Sequence, residues 1–326
     1  MSARRPAVEA VVVGGGSWGS VFAALLAERG HDVTLACRDA EQAAAIAATG
    51  RNPRYVRDLD LRGVRAVPLA DGPLAAAEAV VVAVPSRAFR DVVGALPPGD
   101  APVLSLVKGL DPTSGGRLSR VVSSRPVAVL SGPNHAEEIA AGLPAAAVIA
   151  SDDEGLARRL QHAIHSPRFR VYVNTDLVGV ELCAAAKNVI ALGAGAVDGL
   201  GMGDNGKAAL LTRGLAEMAR LGDAAGARPE TFAGLAGMGD MIVTCWSRHS
   251  RNRRAGELIA LGASADEARA EIAMAVEGLT TAPILRDLAR GLGIELPVTE
   301  AVCDVLAGAS PREVVAGLME RPPTGE

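Results

Sequence analysis

The stretch "AVVVGGGSWGSVFAALLAERG", residues 10–30, limits the folds open to this chain more than any other. A β-branched run meets Gly14, Gly16 and Gly19 in Gly-x-Gly-x-x-Gly spacing, and a helical pattern follows at once. Glycines at this spacing make the tight turn, let the backbone approach a pyrophosphate, and permit close helix–strand packing. The helix N-terminus then offers free N–H groups to the anion. Glycine-rich turns are common, so the motif gains its meaning from lying between a strand and a helix. It predicts a dinucleotide-binding βαβ unit.

The first half of the chain continues in kind. Short β-rich runs occur at "EAVVVG", "HDVTLA", "AVVVAV", "PVLSLV", "PVAVLSG", "PAAAVIAS" and "RFRVYVNT", with helical stretches between most of them. Strand alternating with helix predicts a Rossmann-type α/β domain with a parallel-rich sheet. After Asp176 the strand signals stop. Helical patterns cover 177–198, 204–222, 252–261, 264–272, 279–291 and 297–307, with a turn at "GARPETF" and breaks at Gly199, Gly201, Pro229, Pro297 and Pro311. The expected organisation is a dinucleotide-binding domain over residues 1–175 and an all-α domain over 176–326, ending in the polar tail "ERPPTGE".

Composition narrows the partners. With 37 acidic and 33 basic residues the net charge is −4, which gives no electrostatic reason to expect nucleic acid or an anionic membrane surface. The cysteines, Cys37, Cys183, Cys245 and Cys303, are scattered without a C-x-x-C pair, so reduced thiols in a cytoplasmic protein are expected and a zinc site is not. Arg4 and Arg5 precede an apolar run too short for a signal peptide, and no uninterrupted apolar run reaches the length of a membrane span. His162 and His165, three residues apart, lack an acidic companion and read as surface residues rather than metal ligands. Glu137 and Glu138 open a helix, where negative charge suits the dipole.

Three places carry chemistry. The second strand ends at "VTLACRD", where NAD-binding versions place an acid on the ribose 2′-hydroxyl; here Arg38 stands there, with Asp39 next. A guanidinium suits a 2′-phosphate, which favours NADPH and leaves NADH use open. In "TCWSRHSRNRRAGELIALG", Ser250 sits at the N-cap and Arg251, Arg253 and Arg254 crowd the first turn. Cations oppose the dipole there unless an anion is held between them and the free N–H groups, and a phosphorylated substrate fits that description. The third is Lys187. From Val180 to Val197 the helix is apolar nearly all round, and a buried ammonium is costly unless paired. Snorkelling to solvent, or pairing with Glu181 or Asp240, would be structural answers. The chemical answer is a proton donor to a forming alkoxide, with its pKa lowered by desolvation and its charge stabilising the oxyanion. Asn188 beside it would bond a substrate oxygen or a water.

The segments "GGGSWGS", "SLVKGL", "LSGPNHAEEIAAGLPAAAVIAS", "GVELCAAAKNVIALGAGAVDGLGMGDNGKAALLTRGLAEMARLG", "ETFAGLAGMGDMIVTCWSRHSRNRR" and "AVEGLTTA" resemble, in order from about residue 8 to residue 307, the bacterial NAD(P)-dependent glycerol-3-phosphate dehydrogenases. The resemblance implies a helical domain of the 6-phosphogluconate dehydrogenase-like C-terminal type. It also implies reversible reduction of dihydroxyacetone phosphate to sn-glycerol 3-phosphate for glycerophospholipid synthesis. Lys187 then matches the proton donor and acceptor, and Lys108 a lysine contacting both cofactor and substrate. Gly132, Asn134, Asn188, Asp240, Thr244, Ser250, Arg251 and Asn252 match the substrate site. Gly14, Gly16, Ser17, Trp18, Gly19, Arg38, Tyr55, Ala136, Arg251 and Glu277 match cofactor positions. A homodimer follows from the resemblance alone.

Four places depart from the family pattern. Asn134 stands where Ser or Thr is common, and His135 where Phe is. "YVRD" at Tyr55–Asp58 replaces "YLPG", and "TCWSR" replaces "TCTSP". These put the substrate in question more than the reaction. The rivals are a related two-domain reductase, of β-hydroxyacid or ketopantoate type or acting on another small phosphorylated ketone, and a non-catalytic dinucleotide sensor.

Overall fold

The computed structural model describes residues 7–320, so Arg4, Arg5 and residues 321–326 of the polar tail lie outside the described residues. By internal packing the chain divides into two compact units. One comprises residues up to Val107 together with Leu118–Leu177, and the other Lys108–Arg117 together with Val178 onward.

Among the described residues the first unit is built on eight strands: β1 (Glu9–Val13), β2 (Asp32–Cys37), β3 (Val64–Pro68), β4 (Ala79–Val82), β5 (Val103–Ser105), β6 (Val127–Ser131), β7 (Ala145–Ala150) and β8 (Phe169–Asn174). Their order is β3-β2-β1-β4-β5-β6-β7-β8. All neighbours are parallel except β6 and β7, which pair antiparallel, so β7 and β8 run against the other six. The order reverses between β1 and β4. Ligands of doubly wound sheets bind at such a reversal, beyond the carboxyl ends of the strands, and the glycine loop leaves β1 there.

Five helices accompany the strands: α1 (Ser17–Glu28), α2 (Ala40–Thr49), α3 (Ser86–Gly94), α4 (Ala136–Ala140) and α5 (Glu154–Ile164). Every residue of α1 from Gly19 to Leu26 is buried, because the helix packs against β1 and β2 on one side and α4 and α5 on others. Phe22, Leu35, Leu104, Leu130, Ile149 and Phe169 lie at the centre of the larger core cluster.

Sequence reading located every strand but β3, whose "VRAVP" pairs only with β2 at the sheet edge and ends on a proline. A strand buried against one neighbour needs fewer apolar residues to hold it, so its signal is weak.

The second unit contains α6 (Leu177–Gly199), α7 (Gly203–Ala224), α8 (Pro229–Ala233), α9 (Asp240–Trp246), α10 (Arg251–Ala260), α11 (Ala265–Ile272), α12 (Glu277–Gly291), α13 (Pro297–Leu306) and α14 (Pro311–Met319). A π-helical turn, Leu235–Gly239, leads into α9. The expected turn at "GARPETF" contains the short helix α8 with Pro229 in its first turn, and Pro311 opens one more helix, α14, beyond those expected. Proline at the first helical position is pre-organised for a helix, so the same residue marks starts as well as stops.

Among the described residues α6 is the one helix long and apolar enough, by mean hydropathy (1.6), to cross a bilayer; Glu181, Lys187 and Asn188 interrupt its apolar run, and 89% of that window is buried in the protein. It is the central helix of this unit. Its small residues let another helix approach very closely. A Cβ on Gly195 would stand 1.8 Å from the Arg253 carbonyl oxygen, and one on Gly256 1.9 Å from that of Leu192, so α6 and α10 touch backbone to backbone.

Candidate active site

In the α/β unit the glycine loop has the form its spacing predicts. Gly14 has φ +120°, and a Cβ there would meet the Ala83 carbonyl oxygen at 2.4 Å. A Cβ on Gly19 would lie 1.9 Å from the Gly14 oxygen, whereas one on Gly16 would meet nothing within 4 Å. Two glycines are thus fixed by packing and the middle one keeps space clear. Gly16 is the N-cap of α1 and contributes no side-chain bond, and the first turn has no acidic residue. A helix head left uncapped by its own chain, with open space before it, fits a diphosphate. Ser17 stands at that head. Trp18 packs edge-on against Phe22, ring centroids 5.6 Å apart, and against Phe169 at 6.1 Å.

Two residues that sequence reasoning passed over hold this loop in place. Buried Gln42 donates from Nε2 to the Gly15 carbonyl at 2.6 Å, and buried Asn52 donates to the same oxygen at 3.0 Å. Asn52 also donates to Ser20 Oγ at 2.9 Å, and its Oδ1 accepts from the backbone N–H groups of Arg54 and Tyr55. No spacing motif announces such an asparagine.

At the end of β2, Arg38 is exposed. Asp39 is committed elsewhere: its Oδ1 caps α2 through the Glu41 and Gln42 N–H groups, and its Oδ2 pairs with Arg54 at 2.5 Å. The Gln42 N–H, together with Arg54, holds its carboxyl below the usual range. Tyr55 is half-buried in the loop beyond. The departure at Val56 falls on φ +40°, a strained conformation for a β-branched residue.

On the strand side, Gly132 has φ +127°, with the Ala146 carbonyl 3.0 Å from where a Cβ would sit. Asn134 is buried, and Ala136 begins α4 with Glu137 and Glu138 in its first turn. Both glutamates sit where the helix dipole favours them.

The helical unit gathers the lysines. Lys187 is 4% exposed, which rules out snorkelling. Its Nζ donates to Asp240 Oδ1 at 2.6 Å and to Thr244 Oγ1 at 2.8 Å. Thr244, one turn on from Asp240 in α9, passes its own proton to the Asp240 backbone carbonyl at 2.6 Å. The other carboxylate oxygen, Oδ2, accepts from Lys108 Nζ at 2.9 Å. Two cations therefore share one anion inside the protein. Burial would push the Asp240 carboxyl up, but Lys108 and Lys187 together outweigh it and hold it below the usual range. Burial lowers Lys187 to about 7, with Lys108 adding repulsion and Asp240 offsetting only part. Releasing the Lys187 proton is the way for the cluster to lose its excess charge.

Asn188 ties this cluster to its surroundings. Its Nδ2 donates to the Lys108 carbonyl at 2.8 Å and the Ala184 carbonyl at 3.2 Å, and its Oδ1 accepts from Asn252 Nδ2 at 2.8 Å. That bond uses one of the two Oδ1 lone pairs. Asn252 in turn accepts the Gly278 N–H at 2.8 Å. The head of α10 is thereby anchored to α6 and α12.

At that head, Ser250 caps α10 by accepting the Arg253 N–H at 3.2 Å. The three arginines do not act together as the sequence suggests. Arg253 lies 2.8 Å from Asp198 and Arg254 pairs with Glu257 and Glu271, at 3.3 Å and 3.0 Å. Arg251 is exposed and is braced by a 2.8 Å bond to the Ala275 carbonyl, two residues before Glu277. One guanidinium, the Ser250 hydroxyl and the first-turn N–H groups remain to receive an anion. The Trp246 ring lies under Lys207 Nζ at 4.8 Å, and Lys207 pairs with Asp198 at 2.7 Å. His165 Nδ1 accepts the Val171 N–H, an internal structural bond.

The arrangement has counterparts among known proteins. The family profile described as NAD-dependent glycerol-3-phosphate dehydrogenase N-terminus matches residues 9–157, and the corresponding C-terminus profile matches residues 176–316. A glycerol-3-phosphate dehydrogenase [NAD(P)+] of Moorella thermoacetica is 47% identical over 97% of this chain and 96% of its own. The crystal structure of a glycerol-3-phosphate dehydrogenase from Coxiella burnetii superposes with a TM-score of 0.92 at 37% identity, covering 97% of this chain and 99% of that one. A ketopantoate reductase from Ralstonia eutropha, at 18% identity, TM-score 0.59 and coverage of 96% and 100%, shares the fold alone. With the N-terminus profile spanning the glycine loop and Lys108, and the C-terminus profile spanning Lys187 and Asp240, the chain belongs to the NAD(P)-dependent glycerol-3-phosphate dehydrogenase family.

Proposed function

We propose that the protein reduces dihydroxyacetone phosphate to sn-glycerol 3-phosphate, reversibly, with Lys187 as general acid and base. The observation that carries this reading is the Lys108–Asp240–Lys187 cluster, in which a buried ammonium titrates near 7 rather than near its ordinary value. A proton donor works best when its pKa lies near the working pH. When bound, the dinucleotide supplies the hydride; Gly14, Gly16 and Gly19 with Ser17 and Trp18 are the residues that would hold its phosphates and flank them.

Each protein group then has a task. Lys187 hands its proton to the alkoxide oxygen as charge develops there, and Asp240 keeps the neutral amine in place through Oδ1. Lys108 holds the second oxygen of Asp240 and keeps a positive charge beside the forming oxyanion. Arg251 and Ser250, at the head of α10, take the phosphate, with Asn252 beside them. In the reverse direction neutral Lys187 removes the hydroxyl proton.

NADPH is the preferred cofactor in this reading. Arg38 is exposed at the end of β2, while the neighbouring carboxylate of Asp39 is spent on the α2 cap and Arg54 and is not free to receive a ribose hydroxyl. Four free, buried cysteines suit a reducing cytoplasm, where the product would feed glycerophospholipid synthesis.

Loss of NADPH absorbance with dihydroxyacetone phosphate, run beside NADH and beside unphosphorylated dihydroxyacetone, tests the reading. Oxidation that requires the phosphate supports it. Binding of NADPH with no turnover of the phosphate ester would turn the reading toward another phosphorylated ketone.

A further inference from the structure

The ten residues Lys108–Arg117 belong to the helical unit although the chain around them belongs to the α/β unit. They form a loop closed by its own bonds. Leu110 and Arg117 make an antiparallel bridge, Asp111 N–H donates to the Gly116 carbonyl at 2.9 Å, and Gly115 N–H donates to the Asp111 carbonyl at 2.9 Å. The fully buried Asp111 carboxylate accepts from the Ser114 hydroxyl at 2.5 Å and the Ser114 N–H at 3.0 Å. A loop so cross-tied moves as one piece. Whatever holds Arg117 also holds Lys108.

Helix α6 grips that piece at both ends. Asn188 bonds the Lys108 carbonyl at 2.8 Å, and Glu181 pairs with Arg117 Nη1 at 2.9 Å with side chains only 5% and 17% exposed. Residues seven apart on a helix lie on one face, about 10 Å apart along its axis, which matches two anchor points for one short loop. Glu181 and Asp240 are the two acids that the sequence offers as partners for Lys187; the structure pairs Asp240 with Lys187 and Glu181 with Arg117.

We infer that the Glu181–Arg117 pair is a positioning device that fixes Lys108 against Asp240, and so sets the geometry of the two-lysine site. Neither residue touches the reacting atoms. This inference rests on the function proposed above for Lys108 and Lys187. Breaking the pair frees one end of the loop and lets Lys108 withdraw from Asp240 Oδ2. Lys187 faces Asp240 and Cys245 from α9 and Lys108 from the loop, so losing the Lys108 charge leaves Asp240 to stabilise the ammonium alone. The proton on Lys187 is then held more tightly.

Glu181→Gln, Arg117→Lys and the double variant Arg117→Gln/Glu181→Gln, which removes both charges of the pair, test this with the full-length enzyme. Amide hydrogen exchange of residues 108–117 should quicken at least tenfold in Glu181→Gln and in the double variant, with α12 and α13 unchanged. In the same two variants kcat should fall on the order of tenfold to a hundredfold, as expected for a small misplacement, and the alkaline limb of the kcat profile should move to higher pH. Arg117→Lys, which keeps the charge, should restore most of both. Unchanged exchange in the loop would overturn the inference whatever the activities show, and so would an unmoved pH limb in a variant whose loop has loosened. Failure of the general-acid reading itself would appear separately, as a wild-type pH profile with no group near 7 while loop exchange still responds to Glu181.

Discussion

At the head of α1 the chain keeps side chains away, whereas around Lys187 it brings three charged groups within hydrogen-bonding distance. The first site works by vacancy: Gly16 leaves open space, no residue caps the helix, and backbone N–H groups carry the attraction. The second works by excess, with two ammonium groups sharing one buried carboxylate. A diphosphate needs a fixed dipole and room. A carbonyl under reduction needs a proton that is ready to leave; burial loosens the Lys187 proton most, and the second cation at Asp240 adds to it.

Substitutions at the two places should fail differently. The largest effect is expected at Lys187→Ala, where removal of the proton donor should lower kcat by about 10²- to 10⁴-fold and leave NADPH affinity within twofold; steady-state kinetics beside a fluorescence titration separates the two. Gly19→Ala should do the reverse. Its Cβ would strike the Gly14 carbonyl oxygen, so the loop must shift, and dinucleotide affinity should fall by roughly tenfold or more, the order of a 1.4 kcal/mol loss. If Gly19→Ala bound NADPH normally, the packed-loop description would be wrong.

Smaller contrasts lie within the helical unit. Arg251→Ala should raise KM for dihydroxyacetone phosphate by about tenfold to a hundredfold, the worth of a charge-assisted bond. Arg254→Ala should change it by less than about threefold, because an exposed, ion-paired side chain contributes little. Comparable losses from the two would restore the arginine-cluster picture. At the cofactor end, Arg38→Ala should weaken NADPH by roughly tenfold and leave NADH unchanged, as read from the ratio of kcat/KM for the two cofactors.

The same contrast explains what could be read from the sequence. The glycine loop is local, contained in about twenty residues whose spacing states its purpose, and the alternation of strands followed by helices is periodic and long. The edge strand β3, pairing with β2 alone, has no such signal. Lys187 announced itself as a charge in an apolar helix, but not its partner: Glu181 and Asp240 were equal on sequence, and Asp240 is 53 positions away. Lys108 is 132 positions from the carboxylate it shares. Folding decides such pairs through packing that no window of residues contains. The arginines of α10 misled for the same reason, since Asp198 and Glu271, which neutralise two of them, lie on other elements.

The central claim is that one group, Lys187, donates the proton in reduction and accepts it in oxidation. The most direct test is the pH dependence of kcat in both directions for the wild-type enzyme, in buffers of constant ionic strength. Because the Lys187 ammonium is held near 7, reduction should be fastest below that pH and fall as the pH rises through it. Oxidation of glycerol 3-phosphate should rise through the same midpoint. The titration belongs to the Lys108–Asp240–Lys187 cluster as a whole, so a single shared midpoint is the signature. Opposite slopes meeting near pH 7 would support the account, and profiles that move together, or that show no titrating group within about a unit of pH 7, would contradict it.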